Sequence, residues 1–494
     1  MYSLVFLFSI AGLVRAISGS AHTGPTARVE NGLIIGTTTS LPAASATVNK
    51  FLGIPFAQSP PERFSPPRAA PHMSTINATT WKPACIQQFT YPLASQQFTE
   101  LVFNNPPPQE SEDCLYLNVY APATQSDNSK GLAVMFWIYG GSLEFGNAGQ
   151  PAYDGSHFAA FENVIVVSTN YRTNVFGFPS SPELPLSGHN LGFLDQRFAL
   201  EWVQRNIHAF GGDPSKVTIF GESAGAFSVD ALLTSFPKGS NPPFRGAILQ
   251  SGQYSYRPTP RTSNIPAWYN LTAELGCPGN FGSNLSCVRA ASATDIQRVI
   301  DVNSLTFSPV ADNITLVSNP AQRRVLGETA NIPVMGALWA NASAASGIPT
   351  WRYYFNASFA NTQQYPGLGV YHSSEIPIVF STYPASNVTT QEYALSRFMR
   401  SAWATFAKNP ANGPGWNAVG TGIGGAVLST SSDGLFGGIL MGSNGTVQQG
   451  DWDLGVLGDV GSVRGSGVTV LPQSTVDGRC GLFVPVYEAI LQGS

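Results

Sequence analysis

Four short apolar runs, Ala133 to Tyr139 (AVMFWIY), Val164 to Asn170 (VIVVSTN), Val217 to Phe220 and Ala247 to Gln250, are too continuous for strands with one wet face. They predict strands covered on both faces, as in the middle of a parallel sheet. Elsewhere the apolar spacing changes to that of a helix. Leu200, Trp202, Val203 and Ile207 fall on one side of a helix predicted over Asp195 to Ala209, and Phe398, Ala402 and Phe406 on one side of another over Ala394 to Ala407. Strands alternating with helices predict an α/β fold, a mostly parallel sheet flanked by helices. The Trp and Phe residues on those helices read as core.

The chain of 494 residues shows no internal repeat and no charge block, and its Gly/Ser-rich stretch from Gly420 to Gly467 still carries apolar residues. This predicts one domain over 17–494. It is preceded by the run MYSLVFLFSIAGL, ending at Val14-Arg15-Ala16, which is too short to cross about 30 Å of hydrocarbon and reads as a signal peptide over 1–16. No later segment is long and apolar enough for stable membrane insertion, so a secreted, extracellular protein is expected. Eight Asn-x-Ser/Thr sequons (Asn77, Asn270, Asn284, Asn313, Asn341, Asn356, Asn387 and Asn444) fit a glycoprotein of that route. With a net charge of −4 and scattered Lys and Arg, the chain offers no basic stripe for nucleic acid. In an oxidising compartment its five cysteines predict disulfides, and nearness in sequence suggests Cys85 with Cys114 and Cys277 with Cys287, leaving Cys480 over.

Candidate chemistry begins at Gly221-Glu222-Ser223-Ala224-Gly225, where an apolar strand runs into what reads as a helix. A turn so tight leaves no room for side chains two places either side of the serine, hence the two glycines. It lifts the Ser223 hydroxyl clear, at a helix N-terminus whose unpaired amides favour developing negative charge. This is the only Gly-x-Ser-x-Gly in the chain.

Phe210-Gly211-Gly212-Asp213-Pro214 followed by Val217 to Gly225 resembles the first signature of the type-B carboxylesterase and lipase family, which includes fungal lipases and cholinesterases. Glu112 to Val119 (EDCLYLNV) resembles its second, and Asn170-Tyr171-Arg172 and Asn190 to Gln196 also match. The resemblance implies an α/β-hydrolase fold and an ester hydrolase that works through an acyl-serine intermediate. No metal or cofactor is expected, and the sequence has no metal-ligand cluster. The stretch between Cys85 and Cys114 is similar to the disulfide-bounded flap over the active site of fungal lipases.

In this fold the base follows the nucleophile, and of six histidines only His372 does. An imidazole with a pKa near about 6.5 can take the serine proton and return it to the leaving alcohol. The oxyanion hole should join the amide of Ala224 to amides of a glycine-rich loop, and by resemblance the donors are Gly141, Ser142 and Ala224. The family usually has a glycine where this chain has Ser142, so donation there requires a backbone conformation that a residue with Cβ tolerates. Ser251 is a partner of the site by the same resemblance, or else a buried hydroxyl that satisfies the core.

A carboxylate to orient His372 is missing. Asp230, Glu274, Asp295, Asp301, Asp312 and Glu328 lie between Ser223 and His372, but Glu328 precedes the strand Ile332 to Gly336 and Asp230 should face away. The family carries its glutamate shortly after that strand, where this chain continues Ala337-Leu-Trp-Ala-Asn341. Either Asn341 occupies the place, or a segment is absent between Gly336 and Ala337 and took the acid and the partner of Cys480 with it. Asp312 or Glu375 would serve only through a rearranged loop. The expected substrate is a small-molecule or lipid ester. The rival readings are a catalytically inactive, cholinesterase-like binding protein and a truncated gene product.

Overall fold

The computed structural model describes residues 24–89, 92–124, 131–254, 264–277, 284–336 and 340–419, together with short strands within 435–472. The expected signal peptide, Asn444, Cys480 and residues 337–339 lie outside the described residues.

The main sheet has nine strands. In chain order they are β1 (Thr37–Thr39), β2 (Val48–Pro55), β3 (Tyr116–Pro122), β4 (Leu132–Ile138), β5 (Ile165–Thr169), β6 (Gly212–Glu222), β7 (Gly246–Gln250), β8 (Val334–Met335) and β9 (Thr350–Trp351). Across the sheet they run β9-β8-β7-β6-β4-β5-β3-β2-β1. The four strands read from apolar runs are β4 to β7 and pair with one another in parallel, while β1 with β2, β2 with β3 and β3 with β5 pair antiparallel. Val134 to Ile138 and Ile165 to Val167 have no exposed surface, as strands under two layers require.

The helices used below are α1 (Leu93–Phe103), α2 (Leu191–Asn206), α3 (Ala224–Ser235), α4 (Ala293–Val302), α5 (Ala340–Ala345) and α6 (Thr390–Lys408). The stripes of α2 and α6 face inward as their spacing predicts, with Leu200, Trp202, Val203, Ala402 and Phe406 buried in one core. Each predicted helix begins four residues late, at Asp195 and Ala394. The first turn of α2, Leu191 to Leu194, is apolar throughout and that of α6 is polar, so a one-sided stripe marks neither; in α6, Thr389 caps the start by accepting the amide of Glu392.

The motifs that carry the family resemblance turn out to brace the ground beneath the site. Asp195 accepts from the amide, Nε and Nη2 of Arg172 at 3.1, 2.8 and 2.7 Å, an ion pair sealed from water. The rings of Tyr139 and Tyr171 stack with centroids 4.5 Å apart, and each hydroxyl donates to the other residue's carbonyl. Asn170 donates to the carbonyls of Cys114 and Pro83 and accepts from the amide of Ala148, tying β5 to both sides of the glycine-rich loop. Buried polar groups this fully paired fix one backbone path. Both expected disulfides, Cys85–Cys114 and Cys277–Cys287, are formed.

Candidate active site

Strand β6 ends at Glu222 and α3 begins at Ala224, so Ser223 alone makes the turn, at φ 54° and ψ −122°. The two glycines are there for want of room. A Cβ on Gly225 would stand 2.0 Å from the carbonyl oxygen of Ile138, and one on Gly221 would stand 2.6 Å from the backbone of Gly225. The Ser223 amide donates to the Gln250 carbonyl at 2.9 Å, which anchors the elbow to β7. As the first residue of α3, Ala224 has an amide without an intrahelical acceptor.

The loop after β4 lies directly against this elbow, since a Cβ on Gly140 would meet the Glu222 carboxylate at 2.8 Å and Ser223 Cβ at 3.0 Å. Gly141 has φ 98° and Ser142 φ 59°. The serine therefore holds the left-handed conformation, which a residue with Cβ adopts at a cost of about 1–2 kcal/mol. Among the described residues, neither the Gly141 nor the Ser142 amide donates to another backbone carbonyl.

Ser223, Gly140, Gly141, Ser142 and His372 line one cavity of ≈ 420 Å³. Its far wall comes from the disulfide-bounded loop: Gln88, Phe89 and, on α1, Thr99, Leu101, Val102 and Phe103. The ring of Phe103 meets that of His372 edge-on, centroids 6.4 Å apart.

His372 is in the cavity but not in a triad. Its Nε2 lies 3.2 Å from Oε1 of Glu222, and the Ser373 hydroxyl donates to the same oxygen at 2.8 Å. No hydrogen bond joins His372 to Ser223, and among the described residues no carboxylate meets the other ring nitrogen. The imidazole is 49% exposed, and the burial that remains holds its pKa below the usual histidine range. Glu222 is sealed in, and burial first, the Glu375 carboxyl second, push its pKa well above the ordinary carboxylate range. Glu375 is likewise buried and raised by that burial, and accepts from Gln250 Nε2 at 3.2 Å. Gln250 in turn accepts from the Trp403 indole at 3.0 Å.

The other acids are committed elsewhere. Asp230 forms a fully buried ion pair with Arg324. Asp312 accepts the amides of Ile314, Thr315 and Leu316, Asp301 that of Phe89, and Asp295 the hydroxyl of Ser292, while Glu274 and Glu328 are exposed. Asn341 is the second residue of α5. Ser251 corrects an expectation: it does not satisfy the core but stands exposed at φ 55°, past the end of β7. Residues 337–339, where the family's acid would follow β8, lie outside the described residues. The sequence reading gave Glu222 and Gln250 no role, although Glu222 stands in the elbow motif itself and its burial follows from closing that turn.

Over residues 23–345 the sequence matches the carboxylesterase family. The chain belongs to the carboxylesterase family. It is 31% identical to a chlorogenic acid esterase of Aspergillus niger, an alignment covering 84% of this chain and 91% of that protein. It is 43% identical to the acetylcholinesterase of Bungarus fasciatus over 52% of this chain and 42% of that protein, and 44% identical to the human cocaine esterase over 63% and 55%. The match thus spans about half the length of these vertebrate members. As a member of the carboxylesterase family the chain has an α/β-hydrolase fold and belongs with carboxylic ester hydrolases that act on small-molecule esters. No helix among the described residues is long and apolar enough to cross a membrane.

Proposed function

We propose that this chain is a secreted hydrolase of uncharged carboxylic esters, with Ser223 as nucleophile and His372 as its general base. The observation that carries this is the Ser223 turn at φ 54°, ψ −122°, which sets the hydroxyl at the N-terminus of α3 and in the same cavity as His372 and the Gly140–Ser142 loop. The serine oxygen attacks the ester carbonyl as His372 takes its proton. The amides of Gly141, Ser142 and Ala224 hold the oxyanion, and His372 returns the proton to the leaving alcohol. Water then hydrolyses the acyl-serine.

Turnover is low on this reading, because the charge on His372 lacks an orienting carboxylate. In a serine-protease triad, replacing the acid by its amide lowers kcat by roughly 10⁴. The alignment to the fungal esterase runs over 472 positions, more than 84% of 494 residues supplies, so that relative has residues without counterparts here. An absent segment after Gly336 requires such residues, wherever in the alignment they fall. The Cys85–Cys114 and Cys277–Cys287 disulfides support secretion, with 17–494 as one hydrolase domain.

The test is hydrolysis of a short-chain aryl ester by the full chain beside Ser223→Ala, with mass spectrometry of the protein after a fluorophosphonate. Hydrolysis above the variant and a single adduct on Ser223 are expected. A folded protein that forms no adduct and matches the variant would be a binding protein, not an esterase.

A further inference from the structure

Among the described residues, two carboxyl groups line the cavity, those of Glu144 and Glu222, and no Lys or Arg does. Glu222 is engaged by His372 and Ser373. Glu144 differs: among the described residues nothing engages its carboxyl. Its backbone is fixed, the amide donating to the Gly141 carbonyl at 2.9 Å and the carbonyl accepting from the Gln88 amide at 2.9 Å and from Asn174 Nδ2 at 3.2 Å. Its carboxyl, however, makes no hydrogen bond or ion pair among the described residues, and burial alone holds its pKa above the usual range.

The surroundings repeat the sign. Asp301 on α4 accepts from the Phe89 amide at 3.3 Å, and its pKa is pushed up to about 7 by burial and by the charges of Glu110, Glu144 and Glu100. Among the described residues Glu110 and Glu100 are met by uncharged donors, Gln87 and Gln297 for the first and Gln96 for the second, which leave their charge uncompensated. Beside Glu144, Phe89 and Phe145 stack with centroids 5.3 Å apart, and both rings face the cavity. An uncompensated carboxylate next to aromatic faces attracts an ammonium group by charge and by the ring quadrupole, and repels a carboxylate.

We propose that Glu144 makes this cavity select esters by charge, admitting neutral and cationic ones and excluding those that bear a carboxylate. The proposal rests on the ester-site reading above and names the substrate class of that site. Salt in bulk screens such a field only partly inside a half-enclosed cavity, so the preference persists at moderate ionic strength.

Three butyrates of similar size separate the cases: butyrylcholine, its uncharged isostere 3,3-dimethylbutyl butyrate, and 2-carboxyethyl butyrate. Their dissociation constants are measured by calorimetry at pH 8, where Asp301 is ionised, on Ser223→Ala and on Ser223→Ala with Glu144→Gln or Glu144→Asp. The expected order is cation tightest and anion weakest, with a cation-to-anion ratio of about tenfold or more, one unit of charge energy at this range. Glu144→Gln should collapse that ratio and Glu144→Asp should keep most of it. An anion bound as tightly as the cation, or a ratio that Glu144→Gln leaves unchanged, overturns the proposal. If the glutamine variant does not fold, the parent ratio and the aspartate variant still decide. Because the order is read on a protein that cannot turn over, it stands apart from hydrolysis by the full chain, whose absence would overturn only the esterase reading.

Discussion

Nε2 of His372 faces the carboxyl of Glu222 at 3.2 Å, so the nitrogen that should receive the serine proton is held by the residue immediately before the nucleophile. The sign of the pH dependence follows from the two groups. His372 has its pKa lowered, so it stays neutral and basic to lower pH than an ordinary histidine. Glu222 has its pKa raised by burial and by Glu375, so it ionises at higher pH than an ordinary carboxylate. Once ionised it stabilises the imidazolium that forms when His372 takes the proton. Turnover should therefore keep climbing above the pH at which an ordinary carboxylate is fully ionised, and Glu222→Gln, a mimic of the protonated acid, should fall progressively further behind the parent as pH rises. A pH–kcat profile of the two proteins checks this, and parallel profiles count against it.

The same carboxyls set an opposite trend in stability. A group whose folded pKa lies above its unfolded one contributes stability that is present below the unfolded value and lost as pH rises through the folded value. Glu222 and Glu375 are both of that kind. The thermal midpoint should decline as pH rises above the ordinary carboxylate range while turnover rises, and Glu375→Gln should flatten that decline. Scanning calorimetry across pH reads it directly.

Much of this was legible before any coordinates. Runs such as Val164 to Asn170 named the central strands because a strand under two layers must be apolar at every position, and only burial on both sides imposes that. The elbow was legible because the crowding of Gly221 and Gly225 against Ile138 leaves a glycine signature in sequence. Glu222 and Glu144 were not. Nothing local separates a carboxylate on a wet surface from one buried beside His372 or left without a partner in a cavity, since the partners come from residues 125 or more positions away, as Gln250 does for Glu375. The gap in the triad was legible as an absence, because the acid's place after β8 is set by topology rather than by any motif. The exposure of Ser251 was not, for it depends on what covers that end of the sheet.

Ser142 stores strain that can be removed. With φ 59° it occupies the left-handed region, which glycine enters freely and serine at about 1–2 kcal/mol. Ser142→Gly should keep the amide aimed into the cavity. Relief of the strain and the greater freedom of glycine in the unfolded chain act in opposite senses, the second costing about 0.5–1 kcal/mol, so a net stabilisation of up to roughly 1 kcal/mol is expected. A small rise in denaturation midpoint without loss of turnover would bear this out, and a marked loss of turnover would mean that the hydroxyl, not the amide, matters.

Arg324 and Asp230 tie α3 to the segment before β8, and Arg324 also donates to Ser343 on α5 at 3.0 Å. Both charges are wholly buried, so removing one takes a buried counter-charge from the other. Arg324→Met should cost about 3–5 kcal/mol, and the double variant Arg324→Met, Asp230→Leu should recover most of it. Urea melts of the three proteins test the pair. A single variant that loses under 1 kcal/mol would show that water reaches the abandoned carboxylate.

His372 also offers the most direct test of the missing acid. Half the side chain is exposed, and its second nitrogen has no carboxylate among the described residues, so its charged form is supported from the Glu222 side alone. A small carboxylate from solution can fill that role if the space is open. Formate at high concentration should raise kcat for a neutral aryl ester by several-fold, acetate by less because it is larger, and chloride at equal ionic strength not at all. Ser223→Ala and His372→Ala should show no response. The rescue must act on kcat rather than KM, because the carboxylate supports the transition state and not the bound ester. A chain already as fast as an intact triad, and deaf to formate, would mean that a carboxylate reaches His372 from residues that follow Gly336, and the low-turnover reading would fall while Ser223 and His372 kept their roles.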